Sequence, residues 1–136
     1  FIAVHGNMCR NSISEEFPYK CIINVSGFKI GVVHGHGCFS HDVKNHLFQE
    51  FERENVTVDC IIFGHTHVPL NVISQGVLLF NPGSACANET RSDATVGILH
   101  VGDKQSGGKI TGEILSLSLE DEGSKRESEE NEVGDA

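Results

Sequence analysis

Cys60-Ile61-Ile62-Phe63-Gly64-His65-Thr66-His67 is the stretch on which the reading of this chain turns. Four consecutive apolar residues of strand length, with no polar alternation, describe a β-strand buried on both faces. The run passes through one glycine into two histidines separated by a single residue. In extended chain, residues two apart project to the same side, so the pair is suited to aim two imidazoles at one point beyond the strand end. Neutral imidazole is the commonest metal ligand. The pattern occurs once more upstream, where Ile30-Gly31-Val32-Val33 runs into His34-Gly35-His36. Eight histidines in 136 residues give roughly half of one such pair by chance. Two pairs, both at strand exits and both beside glycine, therefore carry weight. Open α/β sheets place their sites at strand ends.

The elements around these pairs can be read outward. Phe1 to Val4 reads as a strand ending in the turn Gly6-Asn7, and residues 8–20 read as polar and irregular. Cys21–Val25 and Phe28–Val33 flank Ser26-Gly27, a β-hairpin pattern. Val43, Leu47, Phe48 and Phe51 lie on one face of a helix, with Ser40 placed to cap its start and Asp42 in its first turn. That helix should fade near Asn55. Leu70–Ile73 and Val77–Phe80, separated by Ser74-Gln75-Gly76, form a second hairpin, and Ala94–Val101 with Ile110–Leu117 a third. Many strands and one clear helix suit either an α+β sheet or part of a layered α/β sandwich.

Net charge is −9, but the eighteen residues from Leu119 hold eight acids and two bases, leaving −3 on the body. The segment 119–136 is almost free of apolar residues and reads as an acidic disordered tail. No basic face for nucleic acid is expected. No apolar stretch reaches the roughly 18 residues a membrane span needs. Five widely spaced cysteines with no C-x-x-C argue against a disulfide framework. Reduced thiols and a cytoplasmic location are the expectation. The chain begins on the apolar run at Phe1, which reads as a cut end.

Gly6-Asn7 and Asn81-Pro82-Gly83-Ser84 are, taken singly, ordinary turn sequences, although an Asn carbonyl can ligate a hard or borderline metal. His5, His41, His46 and His100 have no partner at ligand spacing and read as structural or solvated. In combination the order Gly6-Asn7, His34-Gly35-His36, Gly64-His65-Thr66-His67, Asn81-Pro82-Gly83-Ser84 resembles the calcineurin-like metallophosphoesterases. It is most similar to their small single-domain phosphodiesterase branch, over roughly residues 1–118.

The resemblance implies an α/β fold, a layered β-sandwich flanked by helices, of which residues 1–118 would be the C-terminal half. It implies two divalent metal ions, drawn from Mn, Zn, Fe, Ni and Mg. Asn7, His34 and His65 would be ligands of one and His67 of the other. The implied reaction is hydrolysis of a small phosphodiester or phosphomonoester substrate, in which a hydroxide activated by the metals attacks phosphorus in line. The family's upstream Asp-x-His and Gly-Asp-x-x-Asp carboxylates have no counterpart here, so the chain by itself is expected to be inactive. Met8 stands where many members have a proton-donating histidine, which leaves His36 as the nearest catalytic candidate. A retromer subunit of this fold serves as a non-catalytic interaction scaffold, and that is the alternative function. Oligomeric state is left open.

Overall fold

Alternation along three short parallel strands generates the layers. A computed structural model describes residues 1–37, 42–86 and 93–117. Its elements are α1 (Asn11–Glu16), β1 (Lys20–Val25), β2 (Phe28–Val33), α2 (Val43–Glu52), β3 (Cys60–Ile62), β4 (Leu70–Ser74), β5 (Val77–Asn81), β6 (Thr95–Val101) and β7 (Ile110–Ser116). Five strands form one mixed sheet in the order β1-β2-β3-β5-β4, and β6 with β7 forms a second sheet. Strands β2, β3 and β5 run parallel, with β1 and β4 antiparallel at the two edges.

Consecutive residues on these strands enter opposite cores. Ile61 and Leu79 join Val33, Leu47, Phe51, Val58 and Phe63 beneath α2. Cys60 and Leu78 join Ile30 and Phe80, packed against Leu99, Val101, Ile110 and Ile114 of the β6–β7 hairpin. The result is three layers: helix α2, the five-stranded sheet, and the hairpin. Burying a side chain of Leu or Phe size contributes about 1.5–3 kcal/mol, so both clusters are needed in a chain this small. The ring of Phe51 crosses β2 where Gly31 leaves the surface bare. A Cβ there would lie 2.5 Å from its ring.

The hairpins, the doubly buried strand and the helix stand where the sequence places them. Ser26 and Gly27 both take positive φ, as a two-residue hairpin turn requires. The second hairpin is tighter than expected. Ser74 pairs with Val77, so its turn is Gln75-Gly76 alone. Asn55, in the left-handed region, follows the end of α2. Two expectations fail at the start of the chain. Residues 1–4 form no strand, because among the described residues no strand lies beside them to complete a ladder. Within 8–20, residues Asn11–Glu16 form a short helix. Ser40, His41, Cys38 and the acidic segment 119–136 lie outside the described residues. No helix among the described residues is long and apolar enough to cross a membrane.

Candidate metal centre

Because β2, β3 and β5 are parallel and level, with Val32 opposite Ile62 and Ile62 opposite Phe80, their carboxyl ends share one edge of the sheet. The loops that follow them carry His34, His65 with His67, and the Asn-Pro-Gly-Ser turn. The Gly64 N–H donates to the His34 carbonyl at 2.9 Å, which locks the first two loops together. Asn7 arrives from the other side on a segment tied down by the His5 N–H, which donates to the Pro18 carbonyl at 3.0 Å. Gly6 lies against the His34 ring, where a Cβ would be 3.0 Å from Cε1.

Three donor atoms converge there. His34 Nε2 is 3.2 Å from Asn7 Oδ1 and 3.3 Å from His65 Nδ1. The cavity in front of them, about 590 Å³, is lined by Asn7, Met8, Cys9, His34, His65 and His67 with Val4 and Gly6. Burial, and then the neighbouring imidazoles of His65, His36, His67 and His5, holds His34 below the ordinary histidine value. Its ring is therefore biased toward the neutral form, the form that ligates metal.

The two histidine pairs do not work as extended chain. His65 and His67 both have left-handed backbone, φ 63° and 59°, and Gly35 has φ 94°. His65 and His67 still line one cavity, through this tight loop rather than through strand alternation. His36 does not join them. Positive φ at Gly35 breaks the extended path, and the His36 ring meets Tyr19 edge-on, centroids 5.2 Å apart. Its Nδ1 is buried with no hydrogen-bond partner among the described residues. Tyr19 in turn donates to Glu50 of α2 at 2.8 Å. His36 thus packs on Tyr19, with its ring centroid 5.5 Å from that of His34, and is not among the residues that line the cavity. His46 Nε2 lies 3.3 Å from a Glu50 oxygen and His100 Nε2 2.8 Å from a Glu113 oxygen.

Two further residues matter at the site that the sequence motifs leave without a role. Cys9 accepts from the Gly6 N–H at 3.1 Å and braces the Asn7 loop. Asn81, 0% exposed, is the only polar residue buried in the described core. Its presence directly after a fully apolar strand was the signal available in the sequence.

The converging donors fit one cation. With bonds of about 2.1 Å, neighbouring donors on an ion sit roughly 3.0 Å apart at right angles and roughly 3.4 Å apart at tetrahedral angles. The observed 3.2 and 3.3 Å fall between. Hydrogen bonding alone serves the trio poorly. An imidazole nitrogen has either one N–H or one lone pair, so His34 Nε2 cannot both donate to the Asn7 carbonyl oxygen and accept from His65. A second ion fares differently. Among the described residues, no carboxylate lines the cavity. Among the described residues, no group of three or more His, Cys, Asp and Glu is placed to hold a metal, and the trio itself has two such residues, His34 and His65, with the Asn7 amide. The expected pair of ions has no complete donor set among the described residues, and the spacing of the trio suits a single cation.

Residues 1–104 match the calcineurin-like phosphoesterase superfamily domain. The chain is 35% identical over 83 residues to the probable metallophosphoesterase MJ0623 of Methanocaldococcus jannaschii, covering 61% of this chain and 40% of that protein. It spans about half the length of the curated relatives it matches. The solution structure of the Thermotoga maritima protein TM1076 superposes with a TM-score of 0.61 at 32% identity, over 86% of this chain and 66% of that one. Vps29 of Entamoeba histolytica, solved in complex with zinc, gives a TM-score of 0.60 at 21% identity, over 86% and 69%, a likeness of fold. A domain match over most of its length, with histidines at the carboxyl ends of its parallel strands, establishes that the chain belongs to the calcineurin-like metallophosphoesterase superfamily, in its small phosphodiesterase branch.

Proposed function

We propose that the chain is the C-terminal portion of a metal-dependent phosphoesterase domain acting on a small phosphodiester or phosphomonoester. The observation that carries this is the approach of Asn7, His34 and His65 to within 3.2 and 3.3 Å in one open cavity. These three side chains hold one divalent cation, and His67 on the same cavity wall supplies a donor toward a second. A divalent cation bound there supplies charge neutralisation at the phosphoryl oxygens and an activated water. The mixed amide and imidazole set accepts several metals, manganese and zinc among them.

The protein's own contribution is placement. The paired strand ends fix His34 and His65, the neutral bias of His34 keeps its lone pair available, and Asn7 presents an amide oxygen without adding charge. No nucleophilic side chain is required, because hydrolysis by water needs no covalent intermediate. Cys9 is engaged with the Gly6 N–H, which supports a bracing role for it. The four described cysteines are all free, in keeping with a cytoplasmic setting. The body of the chain carries little net charge, so substrate recognition rests on the cation and nearby N–H groups rather than on long-range attraction.

The test is metal content and hydrolysis of bis-p-nitrophenyl phosphate by the native gene product, beside its His65→Ala variant. Metal-dependent turnover that falls by 100-fold or more in the variant is the expected result. A metal-free protein, or a variant as active as its parent, rules the proposal out.

A further inference from the structure

We infer that Asn81 is a positioning residue: its buried amide holds the His65-Thr66-His67 loop in the left-handed backbone that turns both imidazoles into the cavity. Two non-glycine residues at positive φ within three positions, His65 at 63° and His67 at 59°, persist only where surrounding contacts over-determine them. Asn81 supplies those contacts. Its Nδ2 donates to the Gly64 carbonyl at 3.1 Å and to the Thr66 hydroxyl oxygen at 3.0 Å. The Gly64 carbonyl belongs to the peptide plane entering His65, and Thr66 follows it, so the amide holds the chain on both sides of His65, by a backbone carbonyl before it and a side-chain hydroxyl after it. The loop closes on itself as well, the Thr66 N–H donating to the Gly64 carbonyl at 2.7 Å and the Val68 N–H to the Thr66 hydroxyl at 3.2 Å.

The chemistry is specific to asparagine. Asn81 Oδ1 accepts from the Gly83 N–H at 2.9 Å, which sets the amide so that both N–H groups face the histidine loop. Two donors on one side and an acceptor on the other are what a primary amide offers. Aspartate lacks the donors, leucine lacks every partner, and glutamine is a methylene too long. The residue is rigid because its backbone closes the β4–β5 ladder opposite Leu70 and its side chain has no access to solvent. The Asn-Pro-Gly-Ser turn thereby fixes, from behind, the geometry of a loop that it never joins. The consequence for metal rests on the metal-centre reading above, whereas the backbone consequence does not.

The experiment uses the isotopically labelled chain, and reads the HN–Hα coupling and Cα and Cβ shifts of His65 and His67 beside cobalt(II) titration followed by visible absorption. Asn81→Ala should lose the left-handed signals at His65 while the β1–β2 hairpin resonances persist. Cobalt affinity should drop by 10- to 100-fold, as loss of a supporting partner does at metal sites, with an altered d–d spectrum. If Asn81→Ala does not fold, the isosteric Asn81→Asp decides, because it keeps the acceptor for the Gly83 N–H and removes the two donors to the loop. Folded variants that keep the left-handed signals overturn the inference whatever their cobalt affinity. An unsubstituted chain that binds no cobalt overturns the metal-centre reading instead, and the coupling readout still decides the role of Asn81.

Discussion

His34 Nε2 and His65 Nδ1 stand 3.3 Å apart because β2 and β3 are parallel neighbours whose carboxyl ends are level. His34 directly follows β2, and His65 sits on the tight loop after β3 that Asn81 contacts.

Metal stoichiometry follows from the donor count. This 136-residue chain should bind one equivalent of zinc or manganese by calorimetry. His34→Ala and His65→Ala should each weaken binding by at least 100-fold, whereas His100→Ala, on the β6–β7 hairpin, should not change it. Two equivalents of comparable affinity would contradict the donor count.

Cys60 provides a pH test. Burial, with Asp59 adding to it, pushes its thiol up from 9.0 to about 12. The native state therefore keeps its proton where the unfolded chain loses it. The contribution is fully present below pH 9 and drains away as pH rises toward 12. Denaturant midpoints should fall across that window in the parent and less so in Cys60→Ala, measured relative to their values at about pH 8. Cys60 should also be the last of the described thiols to react with a disulfide reagent, after Cys86 and Cys9.

Asp59 bridges the five-stranded sheet and the β6–β7 turn. It accepts from the Lys29 N–H at 2.8 Å and pairs with Lys104 at 2.8 Å. Burial pushes its carboxyl up, but the Lys104 and Lys29 interactions outweigh this and hold it below 3.8. Its contribution is present above that ordinary value and is lost as pH falls through the lowered one. Asp59→Ala should cost about 1 kcal/mol, the net contribution of its exposed hydrogen bond to the Lys29 N–H together with the Lys104 pair. Lys104→Met, removing an exposed partner, should cost roughly 0.2–1 kcal/mol. Chemical denaturation at about pH 7 reads both.

Gly31→Ala should be among the most damaging single methyl additions. Its Cβ would come 2.5 Å from the Phe51 ring, and overpacking of this kind costs about 1–3 kcal/mol. Pairing it with Phe51→Leu should recover part of the loss, because the shorter side chain vacates the space. Gly76, with open space around it, should tolerate alanine at about 1 kcal/mol, the cost of its positive φ. Thermal and denaturant midpoints of the three variants check the order.

The hairpins, the doubly buried strand at Cys60 and the helix face of Val43, Leu47, Phe48 and Phe51 were legible in the sequence, because each is written in local periodicity and turn chemistry. So were the histidine clusters and their place at strand exits. The strand expected at Phe1–Val4 did not form, since a strand depends on a neighbour that local pattern cannot supply.

What the tertiary structure alone decided is which polar groups meet. His36 resembles His34 in sequence, yet positive φ at Gly35 sends it to Tyr19 instead of the cavity. Asn81 reads as a plain turn residue, yet burial forces its amide to find partners, and those partners are Gly64 and Thr66 on either side of His65. Residue type determined which groups are able to bind a cation. The direction of each backbone segment, set by contacts between residues far apart in the chain, determined which of them meet.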